Sequence, residues 1–103
     1  MPATPLTGAD LDKAVAELPG WTVRNGALTA AFKAARADLP GFYAAVAAAE
    51  DSADHHADIR ILYGTITFAL TTHDAGGAIT GKDTALAARI TALAAEHQAR
   101  PVG

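Results

Sequence analysis

Two short segments flank the dipeptide Asn25-Gly26, and this arrangement constrains the fold more than any other feature of the chain. Both residues of the dipeptide tolerate the positive φ angles that a tight turn between antiparallel strands requires. Segment 21–24 alternates large apolar and polar residues, and segment 27–33 places Leu28 and Phe32 on one face. The sequence therefore predicts a β-hairpin that turns at Asn25-Gly26.

A second hairpin is predicted further along the chain, where segments 59–63 and 65–72 meet at Gly64. From Ile66 onward, large apolar residues of the longer segment recur at every second position and point to one face. The residues between them, up to His73, point to the other face. Such short connections join antiparallel strands.

Three segments with large apolar residues at helical spacing surround the two hairpins. The first is predicted to begin at Thr7, and the third follows Thr80. The second is predicted over 39–52, with Asp38 as its N-cap residue. Thr7 and Thr80 each have an aspartate three residues later, which is Asp83 in the second case. This spacing is typical of a capping box at the start of a helix.

The order of helix, two strands, helix, two strands and helix predicts an α+β fold. We expect a single four-stranded antiparallel sheet with three helices packed on one face. A chain of 103 residues has room for one core, so we expect a single domain over 1–103 with an ordered core over 7–97. Because the helices leave the other face half covered, a homodimer or homotetramer is expected.

Composition and charge exclude several classes of function. The chain has no cysteine, which excludes disulfides, thiolate nucleophiles and cysteine-ligated metal centres. Its formal net charge is −3, which argues against a nucleic-acid partner. No apolar run reaches the ~18 residues of a membrane span, and the first residues lack the basic and apolar regions of a signal peptide. We therefore expect a cytoplasmic protein without membrane contact.

Three of the four histidines, His55, His56 and His73, lie within nineteen residues of sequence. Histidine can both give and take a proton near neutral pH, so the group suggests acid–base work on a small molecule. Spacing alone leaves open whether they share a site or are solvated loop residues. A metal site is not favoured, because the chain has neither an HExxH motif nor a helical histidine pair. His97 lies apart, near the end of the last predicted helix.

Acidic residues near the histidines allow two interpretations. Asp51 and Asp54 precede His55 by four residues and one residue, so either could orient its imidazole. Both could equally be solvated charges at a helix end. Asp83 has a structural explanation as the third residue of a capped helix. The hydroxyl of Tyr63 could reach a site or only water.

These residues form one long spaced pattern: Asp51, three residues, His55-His56-Ala57, five residues, Tyr63, nine residues, His73, nine residues, Asp83. The pattern resembles the signature of the pterin-4a-carbinolamine dehydratases, also called 4a-hydroxytetrahydrobiopterin dehydratases. Segments 18–21, 28–32 and 70–77 resemble the same family, so the similarity extends from the first predicted helix to the last.

The resemblance implies the fold described above and a reaction. Family members remove water from 4a-hydroxytetrahydropterin and give quinonoid dihydropterin, which is reduced again for the aromatic amino acid hydroxylases. It implies that no metal or organic cofactor takes part and that the protein forms dimers or tetramers. Relatives of this fold also act as non-catalytic coactivators or assembly factors, which is the alternative function.

The resemblance also assigns residues. It places His55 and His56 as the acid–base pair and His73 as a third, polarising or positioning group. Asp51 and Asp54 correspond to acids that support the histidines, Asp83 corresponds to the acid that closes the signature, and Tyr63 lies in the same stretch. The chain departs from the family at Ala57, where Pro, Cys or Ser is usual, and in a loop before Asp83 that is one residue longer.

Overall fold

The computed structural model describes residues 4–102, which form three α-helices, one 3₁₀ helix and five strands. None of the helices in this part of the chain is long and apolar enough to cross a membrane. In chain order the elements are α1 (Gly8–Ala16), β1 (Thr22–Arg24), β2 (Ala27–Lys33), α2 (Leu39–Ala53), β3 (Asp58–Leu62), β4 (Thr65–Leu70), the 3₁₀ helix (His73–Ala75), α3 (Gly81–Glu96) and β5 (Arg100–Pro101).

The strands form one antiparallel sheet in the order β1-β2-β4-β3, which confirms the predicted α+β fold. Strands β2 and β4 lie at its centre, with Leu28 opposite Leu70 and Phe32 opposite Ile66. The fifth strand was not predicted from the sequence. It has only two residues and pairs with the end of β2 that β1 leaves free, where Phe32 faces Pro101.

The core lies between one face of the sheet and the helices. Alternate residues of β2 and β4 are buried, as the predicted pattern requires. Helix α2 adds Phe42 and Val46, helix α3 adds Leu86 and Ile90, and α1 contributes only partly buried side chains such as Leu11. The opposite face of the central strands is half-buried.

The turn between β3 and β4 differs from its prediction by one residue. Strand β3 ends at Leu62, and Tyr63 adopts a positive φ of 56° in the turn. Gly64 follows, and an added Cβ there would lie 2.8 Å from the carbonyl oxygen of Ala34. The Ala34 N–H also donates to the Gly64 carbonyl at 2.9 Å. Close backbone approach therefore explains the glycine at this position.

The helices begin near the predicted residues, but the predicted capping hydrogen bonds are only partly present. Thr7 and Asp38 are N-cap residues, but neither side chain makes a capping hydrogen bond, so the capping box expected at Thr7 is wrong. At α3 the box is complete: the Thr80 N–H donates to the carboxylate of Asp83 at 2.9 Å. The Thr80 hydroxyl in turn accepts from the Lys82 N–H at 3.2 Å.

Candidate active site

One cavity of about 250 Å³ is lined by all three histidines of the sequence pattern. His55 and His56 come from the loop after α2, and His73 comes from the 3₁₀ helix after β4. The cavity lies where these two segments meet the first turn of α3. Its lining residues are Asp54, His55, His56, Thr71, Thr72, His73, Asp74 and Lys82.

The end of α2 sets the direction of the two adjacent histidines. Asp54 adopts the left-handed conformation, with φ 50° and ψ 46°. The His55 N–H then donates to the Glu50 carbonyl at 3.1 Å, and the Asp54 N–H donates to the Asp51 carbonyl at 3.3 Å. This pair of bonds is a Schellman motif, which ends the helix sharply. The chain leaves the helix with His55 buried and His56 exposed.

Asp83 holds the imidazole of His55. The distance from His55 Nε2 to Asp83 Oδ1 is 2.6 Å, and the carboxylate is fully buried. Its other oxygen accepts from the Thr72 hydroxyl at 2.7 Å and from the Thr80 N–H at 2.9 Å. An ionised carboxylate has no proton and can only accept hydrogen bonds. Opposite an ionised Asp83, His55 donates from Nε2, and its Nδ1 is the nitrogen left for other partners.

Two threonines complete this buried network. Because the Thr72 hydroxyl donates its single proton to Asp83, the Thr80 hydroxyl must donate in the 2.7 Å bond between the two threonines. Within residues 4–102, every buried side-chain nitrogen and oxygen has a partner. Thr72 was not among the site residues predicted from the sequence, although a polar residue at the next buried position after Leu70 in the predicted segment 65–72 was a usable signal.

His56 and His73 are held less tightly than His55. The His56 side chain is 61% exposed, and its Nε2 lies 3.4 Å from Asp51 Oδ1. A contact of that length between exposed groups is weak. His73 begins the 3₁₀ helix and is exposed, rather than ending a strand as expected. Both imidazoles can therefore turn toward a ligand in the cavity.

The remaining candidate residues lie at different distances from the histidines. Asp83, not Asp51 or Asp54, contacts the His55 ring. Asp51 lies beside His56, and Asp54 lines the cavity while it ends α2. Tyr63 is 79% exposed in the β3–β4 turn and is not among the lining residues.

Glu50 is a functional candidate that the sequence analysis missed. Its side chain is buried in the last turns of α2, and its Oε2 accepts from the Ala57 N–H at 2.7 Å. Glu50 follows Phe42 and Val46 at four-residue intervals, which places it on the buried stripe of the helix. An acid on such a stripe was a signal that the sequence contained.

A second, larger cavity adjoins the first. It has a volume of about 700 Å³, lies between α2 and α3, and shares His55 and Lys82 with the histidine cavity. Most of its wall is apolar and includes four alanines of α2. Among residues 4–102, no three histidine or acidic side chains are placed to hold a metal ion.

The fold and the cavity define a class: small α+β proteins with a histidine-lined pocket at one end of an antiparallel sheet. Residues 4–93 match the family model described as Pterin 4 alpha carbinolamine dehydratase. The chain belongs to this family.

Named relatives agree with the family match. A protein of Streptomyces coelicolor, provisionally named pterin-4-alpha-carbinolamine dehydratase, is 40% identical over 96% of this chain and 99% of its own length. A relative from Rhodopseudomonas palustris with the same provisional name is 41% identical over 92% of this chain and 96% of its own. The crystal structure of a transcriptional coactivator/pterin dehydratase from Brucella melitensis is similar with a TM-score of 0.83. It is 28% identical and covers 88% of this chain and 99% of its own.

Proposed function

We propose that this protein removes water from 4a-hydroxytetrahydropterin and releases quinonoid dihydropterin. The observation that supports this most is the convergence of His55, His56 and His73 on one cavity, with His55 bonded to a buried carboxylate. The family match makes a pterin the expected ligand. The cavity volume of about 250 Å³ is close to the lower end of ordinary small-ligand pockets, which suits a flat two-ring molecule.

The reaction needs two proton transfers and no change in oxidation state. One proton goes to the C4a hydroxyl as the C–O bond breaks, so that water leaves. A second proton leaves the neighbouring ring nitrogen, and its electron pair forms the new double bond. Imidazoles can serve as both donor and acceptor at neutral pH. His55 and His56 are proposed as this pair, with His73 polarising or positioning the substrate.

Asp83 gives His55 a defined part in this scheme. Its ionised carboxylate fixes the proton of His55 on Nε2 and stabilises the imidazolium whenever Nδ1 takes a second proton. His56 has only the weak contact with Asp51, so its ring can follow the substrate. The residues supply the chemistry themselves, and we propose that no metal or organic cofactor takes part. The product would re-enter tetrahydropterin recycling for aromatic amino acid hydroxylases.

The proposal is tested by generating the carbinolamine with an aromatic amino acid hydroxylase and following its loss by absorbance. We expect the carbinolamine to disappear faster with micromolar protein than it does spontaneously. The catalysed rate should fall on the order of 10²-fold or more in His73→Ala and in the double variant His55→Ala/His56→Ala. His97→Gln is the matched control, because His97 packs against Phe42 outside the cavity. A wild-type rate equal to the spontaneous one would refute the proposal.

We also propose that the protein forms a homodimer or homotetramer. Strand β3 is an edge of the sheet and ends in the exposed residues Ile61 and Leu62. An exposed edge with apolar side chains favours pairing with another chain. Light scattering across a concentration series is expected to give two or four times the 10.5 kDa chain mass. A monomer mass at every concentration would contradict this.

A second candidate function is binding of another protein without catalysis. The similar Brucella melitensis protein is described as a transcriptional coactivator as well as a pterin dehydratase, and the apolar cavity between α2 and α3 offers a surface for such a role. The double variant His55→Ala/His56→Ala separates the two functions. A binding protein would keep its partner in a pulldown with this variant, whereas an enzyme would lose turnover and stay folded.

A further inference from the structure

Within residues 4–102, Glu50 is the one buried acid besides Asp83, and the scheme above does not use it. We propose that Glu50 is a positioning residue for His56, which it places by fixing the backbone on both sides of that histidine. This inference rests on the proposed function for its catalytic consequence, because only a reacting His56 would make its position matter for turnover.

Glu50 accepts two hydrogen bonds, from the backbone N–H groups of the residues before and after His56. The Glu50 carbonyl accepts from the N–H of His55 at 3.1 Å, and the Glu50 carboxylate accepts from the N–H of Ala57 at 2.7 Å. The first bond belongs to the helix end and does not depend on the side chain. The second bond needs a long side chain with an acceptor at its tip. Glu50 is only 5% exposed, so this carboxylate is buried. Burial of a carboxylate is costly unless it is hydrogen-bonded, so the site favours this one arrangement.

His56 depends on its backbone more than His55 does. The His55 ring is anchored by Asp83 at 2.6 Å, whereas the His56 ring has only an exposed 3.4 Å contact with Asp51. The location of the His56 ring therefore follows from the path of the chain between His55 and Ala57. Loss of the Glu50 carboxylate would free that path on one side and leave His55 in place.

Proline at position 57 provides a sharp test of the same idea. Proline has no N–H to satisfy and restricts its own φ, so it would hold the turn without an acceptor. In an otherwise wild-type chain, Ala57→Pro would replace the N–H hydrogen that Glu50 accepts with a ring carbon. The buried Glu50 carboxylate would then have lost its donor. In a Glu50→Ala background the same proline would supply the missing rigidity. The effect of Ala57→Pro is thus expected to change sign between the two backgrounds.

Turnover and NMR together test the proposal. We expect Glu50→Ala to lower kcat about tenfold with little change in KM, since a misplaced reacting group slows the chemical step. Glu50→Gln should keep most of the activity, because its amide oxygen can accept from Ala57. The double variant Glu50→Ala/Ala57→Pro should recover most of the loss, and Glu96→Ala, an exposed glutamate of α3, should behave as wild type.

Amide exchange and ring signals provide a readout that needs no turnover. In the wild type the Ala57 amide should exchange slowly. In Glu50→Ala that protection should be lost and the ring signals of His56, but not of His55, should shift toward those of a free side chain. A freely exchanging Ala57 amide in the wild type, or an unchanged kcat in Glu50→Ala, would overturn the proposal. If the wild type has no dehydratase activity, the proposed function is wrong, and the amide-exchange and ring measurements still test whether Glu50 positions His56. If Glu50→Ala does not fold, Glu50→Gln and the double variant decide it.

Discussion

Replacement of Asp83 by asparagine is expected to abolish most of the dehydratase activity while the fold is kept. The carboxylate accepts three hydrogen bonds, one from His55 and two from Thr72 and Thr80. An amide of the same shape has only one acceptor atom, which the two threonine donors would take. Its NH₂ group would then face His55 Nε2, and the imidazole would have to move its proton to Nδ1.

This change of tautomer removes the lone pair that the proposed mechanism uses. When a carboxylate that orients a catalytic histidine in this way is replaced by asparagine, kcat can fall by as much as about 10⁴. We expect a loss between about 10² and 10⁴ for Asp83→Asn, measured as kcat with an enzymatically generated carbinolamine. Nitrogen-15 shifts of the His55 ring should show the exchanged tautomer.

Asp12→Asn in α1 is the control for loss of one negative charge, because Asp12 is exposed and is not part of the cavity lining. It should match the wild type in kcat and in His55 ring shifts. An Asp83→Asn protein that kept both wild-type turnover and the wild-type tautomer would contradict the assigned role of the carboxylate.

Phe68→Ala is expected to have the largest effect on stability. Phe68 is fully buried in β4, one of the two central strands, and its ring lies about 6 Å from three other aromatic rings. The centroid distances are 6.2 Å to Trp21, 5.9 Å to Phe32 and 6.0 Å to Phe42. Truncation of a core phenylalanine costs about 3–5 kcal/mol, because the cavity left behind is only partly filled by relaxation.

A loss of this size is a large part of the ~5–15 kcal/mol that stabilises an ordinary domain. The free energy of unfolding, measured by urea denaturation followed by circular dichroism, should fall by about 3 kcal/mol or more. Tyr43→Ala on α2 is the aromatic control, since that ring is 44% exposed. A Phe68→Ala variant within ~0.5 kcal/mol of Tyr43→Ala, which is the ordinary range of a surface substitution, would mean that the aromatic cluster does not stabilise the core as its packing indicates.

Local sequence signals predicted the regular elements well because their causes are local. Asn25-Gly26 limits the chain to a tight turn, and β2 has the predicted bounds of 27–33. Strand β5 could not be predicted in the same way. Two residues contain no periodicity, and Arg100–Pro101 is a strand only because β1 leaves the end of β2 free. Its cause lies in the assembled sheet rather than in its own sequence.

The site was less predictable than the fold, since contacts between segments that are distant in the chain have no sequence spacing of their own. The sequence itself singled out the three histidines and the resemblance to a family assigned them to one active site, but sequence proximity suggested Asp51 or Asp54 as the partner of His55. The actual partner is Asp83, which is 28 positions away. Glu50 and Thr72 were visible as polar residues on apolar stripes, although their hydrogen-bond partners could be identified only from the folded chain.

The pairing of distant segments has a consequence for when this protein can fold during its synthesis. The central strands join Leu28 to Leu70, and α3, which covers them, ends at Glu96. The chain must therefore be synthesised through α3 before the core can close. At ~5–20 residues per second, the apolar residues of the first hairpin wait several seconds without a cover. During that interval the apolar face of the hairpin is exposed to aggregation and to binding by chaperones.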